Sequence, residues 1–289
     1  MINFYDKVDD QRMISSEYTQ KGSTIQGMTN SHIHDSYEIY FLLEGERYYF
    51  IHDKTYNVKK GMLVLIHPNV IHKTIKAERS DHERLLINIH PAIMKQYAQG
   101  FDSQDWFSGF DGDRPVLALN ISNQSQLREK MLAVYCELNE KEEISFNRVM
   151  IGVMDILLFL SELRSSDWSD RSEMVLENQT SLRVNDVVRY INDHFDSNLT
   201  LASLAKNFFF SPSYLSRCFK QITGFNLKDY INQVRLLEAE KKLTNTSLSI
   251  SDIGRLTGFS SQTHFGRQFK KYKGITPTLY RKKSILNNL

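Results

Sequence analysis

Cysteine is nearly absent from this chain: 289 residues include two, Cys136 and Cys218, far apart and with no partners at a metal-ligand spacing. A disulfide framework and a cysteine-based metal site are excluded, and two reduced thiols are expected. Long apolar runs are missing as well. The longest, Val149 to Leu160, is interrupted by Asp155 and is too short to cross a bilayer, so no membrane partner is expected. The opening residues, Met1 to Asp10, lack the basic-then-apolar pattern of a secretory signal, which predicts a cytoplasmic protein. Acidic residues are scarce in one part only. From Ser181 to Leu289 there are 7 against 17 Lys and Arg, a net of +10, which leaves −8 for Met1 to Thr180 within a total of +2. Such asymmetry is what a nucleic-acid-binding module joined to a differently employed domain shows, because neutralising phosphates supplies much of the affinity for DNA or RNA. A basic solvated face would give the same count, so spacing has to decide.

Apolar residues are plentiful, at 41% with 17 Phe and 14 Tyr, so a packed core is expected and global disorder is not. Up to about His90 the chain alternates in strands, at Tyr37 to Leu43, Arg47 to Ile51, Met62 to Ile66 and Leu85 to Ile89, with turns at Glu44-Gly45-Glu46 and Lys59-Lys60-Gly61. This spacing predicts a β-sandwich or barrel. From Gln124 to Leu163 the period becomes helical. Val149 to Leu163 is apolar on nearly every side, so that helix must be buried inside its domain or against a second copy of the chain. Ser165 to Thr180 shows no apolar period and reads as a linker. The expected class is α+β and multidomain: a β domain over 1–100, a helical and dimerising region over 101–164, a linker over 165–180, and an all-α domain over 181–289.

That last region contains a duplication. Leu215-Ser-Arg217-Cys-Phe219-Lys220 returns as Phe265-Gly-Arg267-Gln-Phe269-Lys270 fifty residues later, and Leu201 to Ala205 returns as Ile250 to Gly254 at an offset of 49. The second copy therefore has one extra residue in its turn, and each copy is a short helix, a tight turn and a longer helix. Thr200 caps the first helix, and Ser211-Pro212 places a side-chain acceptor at the N-cap with proline behind it. In the second copy Ser249 to Asp252 forms the cap, Gly258 the turn, and Ser260 caps the next helix. Ala205 and Gly254 fall where the helices cross closely. On the longer helices Leu215, Cys218, Phe219 and Ile222 form a buried stripe, as do Phe265, Phe269 and Tyr272. Ser213, Ser216, Arg217 and Lys220, and in the repeat Gln262, Thr263, Gly266, Arg267 and Lys270, point the other way. Arg, Gln and hydroxyl side chains on an exposed helix face can reach base edges in the major groove.

Leu182 to Lys283, including the connecting helix Asp229 to Leu243 and the terminal Gly274-Ile-Thr-Pro277-Thr-Leu-Tyr280-Arg281, closely resembles the DNA-binding domain of the AraC/XylS family of transcription regulators. The resemblance covers about a third of the chain. It implies base contacts from Ser213, Ser216 and Arg217 on the first reading helix and from Gln262, Thr263 and Arg267 on the second. Lys220 and Lys270, farther along the same faces, suit phosphates.

Six of the nine histidines, at 32, 34, 52, 67, 72 and 82, fall before or within the short acidic stretch Asp81 to Glu83. His32, His34 and Glu38 have one parity, so on an extended chain they face one side of a sheet, where His72 can join them. His32-Ile-His34-Asp-Ser-Tyr-Glu38 followed by Gly45 resembles the first cupin motif, while the second is looser, with His67, Asn69 and Lys76 at its positions. Three His and a Glu suit one divalent metal ion, as in cupin enzymes. Regulators of the family hold a small effector there, often a sugar, and a barrel lined with His and no ligand is the third reading. Tethering to two DNA-reading helices favours sensing. The expectation is a cupin-like effector-sensing domain with His32, His34, Glu38 and His72 lining the pocket, no enzymatic activity and no cofactor. The alternative is a metal-dependent cupin enzyme with a DNA-binding appendage. Expected partners are double-stranded DNA, a small effector such as a sugar, a second copy of the chain, and RNA polymerase if the protein activates.

Overall fold

A computed structural model describes residues 13–20, 34–76, 81–97, 105–111, 114–139, 145–165 and 179–287. The chain forms two compact units that divide after Leu176. Among the described residues no helix is long and apolar enough to cross a membrane.

The first unit has strands β1 (Ile14–Thr19), β2 (Tyr37–Glu44), β3 (Glu46–Ile51), β4 (Lys54–Lys59), β5 (Met62–Ile66), β6 (His72–Lys76), β7 (Glu83–Ile89) and β8 (Val116–Ala118). They build two antiparallel sheets, one in the order β1-β7-β2-β5-β8 and one in the order β4-β3-β6. The larger sheet is buried on both faces. Ile39 and Phe41 of β2, with Leu85 and Ile87 of β7, pack into the helical layer. Tyr40, Leu42 and Leu86 face the smaller sheet, with Tyr49 and Ile51 of β3. This double burial explains why β5 reads Met-Leu-Val-Leu-Ile without a polar position. The strands legible from alternation, β2, β3, β5 and β7, are the interior strands of the two sheets. The four edge strands escape because a half-solvated edge carries polar residues such as Lys54, Asn57 and Lys73.

Helix α1 (Pro91–Tyr97), a 3₁₀ turn (Ser108–Phe110), α2 (Ile121–Asn139) and α3 (Phe146–Ser165) complete the unit. The expected boundary at residue 100 is not a structural one. β8 lies beyond it and pairs with β5, and α2 and α3 share one apolar core with the large sheet. The nearly all-apolar helix is explained by that core: Val149, Val153, Ile156, Leu157 and Leu160 are each at most 2% exposed. Ile151 and Leu158 remain outside, at 67% and 36% exposed.

The second unit is helical throughout its described residues: α4 (Gln179–Asp193), α5 (Leu201–Asn207), α6 (Pro212–Thr223), α7 (Leu227–Asn245), α8 (Ile250–Leu256), α9 (Gln262–Lys273) and α10 (Pro277–Asn287). The short helices α5 and α8 stand 49 residues apart and the longer α6 and α9 stand 50 apart, so the extra residue does lie in the second turn. Thr200 Oγ1 accepts from the Ser203 amide and Ser211 Oγ from the Tyr214 amide. In the repeat, Ser249 caps α8 as expected, but α9 is capped by Ser261, whose Oγ accepts from the His264 amide. Ser260 stands one residue too early, because the longer turn moves the start of the helix. At Gly254 a Cβ would approach the Phe265 ring to 3.1 Å, the close crossing anticipated there. Helix α7 joins the copies, and its buried Glu240 accepts from Lys273 at 2.8 Å and from the Tyr280 hydroxyl at 2.6 Å.

Candidate DNA-reading helices and effector site

On α6 the apolar stripe is closed and the opposite face is open. Leu215, Cys218 and Phe219 are buried, whereas Ser213, Ser216, Arg217 and Lys220 are exposed. On α9 Phe265 and Phe269 are buried, with Gln262, Thr263, Arg267 and Lys270 exposed. All eight residues expected to meet DNA therefore lie on the free faces of two equivalent helices. Ile222 and Tyr272 are half-buried at the ends of their stripes, and Gly266 is half-buried too. The sequence reading missed Tyr214, 40% exposed beside Arg217, whose guanidinium carbon is 6.0 Å from the ring centroid.

The turn before α6 is held from α4. Arg183 Nη2 donates to the carbonyls of Phe208 (2.7 Å) and Phe209 (3.0 Å), and the guanidinium lies 4.0 Å from the Phe210 ring centroid. Phe209 has φ 55°, left-handed backbone that a bulky side chain rarely adopts, and its equivalent in the second copy is Gly258 at φ 82°.

In the first unit three of the four expected site residues meet, and His32 lies outside the described residues. One oxygen of Glu38, Oε2, is 3.2 Å from His34 Nε2 and 3.5 Å from His72 Nε2. The other oxygen accepts from the Tyr49 hydroxyl, a partner that the sequence reading missed. Glu38 and His72 are sealed at 0% and 1% exposure, and His34 reaches the surface with 21% of its side chain. Burial by itself would raise the Glu38 carboxyl, but His72 and His34 overcome it and hold the group well below the usual carboxylate range. Burial lowers the His34 ring, and Glu38, through its hydrogen bond and charge, more than offsets that and raises it.

Backbone carbonyls assign the tautomers. His34 Nδ1 faces Ser36 O at 2.9 Å and His72 Nδ1 faces Val70 O at 2.8 Å, and a carbonyl can only accept, so each Nδ1 carries the proton. In the neutral rings both Nε2 atoms then turn lone pairs toward an ionised carboxylate. That juxtaposition is repulsive unless a positive charge, a second ring proton or a metal ion, sits among them. The three ligand atoms all lie within 4.8 Å of one another. The donor set, with each ring oriented through its second nitrogen, fits a divalent ion. His34, Glu38 and His72 would hold it, and it would polarise a hydroxyl or carboxyl oxygen brought to it.

Comparison with known proteins agrees with this division. A family model described as an AraC-like ligand binding domain matches residues 14–136, and one described as a helix-turn-helix domain matches 204–283. The Msm operon regulatory protein of Streptococcus mutans is 28% identical over 273 residues, 89% of this chain and 87% of that protein. The arabinose operon regulatory protein of Escherichia coli is 38% identical over 100 residues, 34% of each chain. The HTH-type transcriptional activator AarP of Providencia stuartii is 35% identical over 98 residues, 34% of this chain and 73% of that protein. A ligand-binding β unit followed by a duplicated helix-turn-helix unit makes this chain a member of the AraC/XylS family of DNA-binding transcription regulators.

Proposed function

We propose that the regulator reads a long DNA site with α6 and α9 and that a small polyhydroxylated effector, bound at His34, Glu38 and His72, changes how the DNA-binding unit is presented. The observation that carries the DNA half is the matched pair of exposed faces, with Arg217 and Arg267 at equivalent positions above buried stripes. Arg217, Ser213 and Ser216 address base edges from one helix, and Gln262, Thr263 and Arg267 from the other. Lys220 and Lys270 take phosphates. The sensor half is supported by the buried Glu38 cluster with His34 at its surface, and by the relatives matched over most of their length, which are named as regulators.

The expected assembly is a homodimer through the free stripe of α3, where Ile151 and Leu158 are exposed. The effector half is tested by a thermal-shift screen of the intact chain, since a ligand at 100 times its dissociation constant stabilises by about 2.7 kcal/mol. His34→Ala and Glu38→Ala should each weaken the effector so found while leaving effector-free DNA affinity nearly intact. Unchanged effector affinity in both variants would move the site elsewhere.

A further inference from the structure

The interior between the two sheets is more polar than a packing core requires. On β2 and β7 its residues are paired in layers, Glu38 opposite Asn88, Tyr40 opposite Leu86 and Leu42 opposite Arg84. The cluster of His34, Glu38 and His72 occupies one end. At the other end Arg84, 6% exposed, holds its guanidinium carbon 5.7 Å from the Tyr40 ring centroid. Besides His72 Nε2 of the Glu38 cluster, three buried side-chain atoms on these layers have no hydrogen-bond partner: the Tyr40 hydroxyl, Arg84 Nη1 and Asn88 Oδ1. Folded proteins leave few such atoms, because an unsatisfied buried polar group is costly, and three on one interior face point to a missing partner.

The chemistry of that partner follows from the atoms themselves. Arg84 Nη2 donates to Glu17 Oε2 at 2.9 Å, so one arm of the guanidinium already holds a carboxylate and the other arm is left over. The free arm can donate a charge-assisted hydrogen bond to one oxygen of a second carboxylate. Glu17 is 59% exposed, which places the Arg84 end of the interior at the solvent edge of β1. The Tyr40 phenol, neutral at ordinary pH, is a buried hydroxyl donor left without an acceptor. Asn88 Oδ1, by contrast, accepts, and it asks for a hydroxyl. Arg84 and Asn88 stand four residues apart on β7, about 13 Å between Cα positions, and the long Arg84 side chain leaning over Tyr40 shortens that span.

We propose that the effector is a small polyhydroxylated acid, with its carboxylate on Arg84 Nη1 and the Tyr40 hydroxyl and its hydroxyls toward Asn88 Oδ1 and the Glu38 cluster. This rests on the sheet interior being the effector site, and it narrows the class from sugars to sugar acids.

Matched pairs that differ in one group test it on the intact chain by isothermal titration: D-gluconate against D-sorbitol, and D-glucuronate against D-glucose. The acid of at least one pair should bind about ten-fold or more tightly than its neutral partner. Tyr40→Phe should weaken that acid by about five-fold, and Arg84→Gln should abolish the preference. Because the Tyr40 hydroxyl has no hydrogen-bond partner, Tyr40→Phe should leave the melting temperature of the free chain unchanged or higher, so lost binding would not reflect lost fold. Equal affinities within each pair, or no binding by either acid, overturn the acid class. Glu38→Gln separates the two levels: if it abolishes binding of the neutral members, the effector site stands without the acid class. Binding that Tyr40→Phe, Arg84→Gln and Glu38→Gln all leave unchanged overturns both.

Discussion

Glu38 sets the electrostatics of the buried cluster with His34 and His72, and its sign is testable through pH. A carboxyl held below its ordinary value contributes stability above about pH 4.5, lost as pH falls through the depressed value. The raised His34 ring contributes stability that is fully present below about pH 6.5 and lost as pH rises through its folded value. Both contributions coincide between those limits. For the metal-free chain, the gap in melting temperature between wild type and Glu38→Gln should be widest there and narrow on both sides, whereas a gap flat from about pH 3 to 9 would contradict the assignment. On the DNA side, Lys220→Ala and Lys270→Ala should weaken binding alike on all sequences and each reduce the salt slope by about one, read from anisotropy at several salt concentrations. His34, Glu38 and His72 were legible because parity and spacing place imidazoles and a carboxylate on one sheet face. Tyr49, Tyr40 and Arg84 were not, because an aromatic or basic residue in a strand reads as core or surface until the packing of the two sheets sets Tyr49 against Glu38 and the pairing of β2 with β7 sets Tyr40 and Arg84 on the same interior face.

The duplicated helix-turn-helix gives its own control for backbone strain at the level of elements. Phe209 and Gly258 occupy the same left-handed turn position, yet they differ in room. A Cβ at Gly258 would lie 2.7 Å from the Phe195 carbonyl oxygen and 2.8 Å from Arg235 Nε, while the Phe209 side chain is 90% exposed. Phe209→Gly should therefore leave the helical unit unchanged to about 1 kcal/mol more stable, and Gly258→Ala should cost about 1–3 kcal/mol, both measured by urea unfolding. Helix α3 supports a second contrast. Leu157 is 1% exposed in the core shared with the large sheet, so Leu157→Asp should unfold the first unit. Ile151→Asp, at 67% exposure, should spare the melting temperature and convert the proposed dimer to monomer in sedimentation. A wild-type chain that sediments as a monomer at micromolar concentration would remove the dimer. Interior strands and the capped helices of the repeat were readable because burial or capping leaves a period or a residue type to find. The edge strands β1, β4, β6 and β8 were not, since one solvated margin breaks the alternation, and Ser260 next to Ser261 leaves the cap of α9 undecided by one residue.

Across the whole molecule, charge divides with the two units: the helix-turn-helix unit holds the positive excess, and the acidic unit holds the buried Glu38 cluster. On the proposed function, any coupling between effector and DNA must be reciprocal, so an effector that tightens DNA binding by some factor is itself bound tighter on DNA by that factor. Repeat, charge division and reading faces were visible in the sequence, whereas the packing of α2 and α3 onto the large sheet was not, because a helix apolar on most sides fits a shared core and a dimer interface equally well. The central claim is that α6 and α9 read separate parts of one DNA site, and it is tested by sequence selection from a random duplex library with the wild type, Arg217→Ala and Arg267→Ala chains. Each variant should relax the selected bases in one part of the site and keep the other, with a loss of about 1–3 kcal/mol on the wild-type sequence and far less on random DNA. Relaxation of the same bases by both variants, or equal losses on selected and random duplexes, would contradict it.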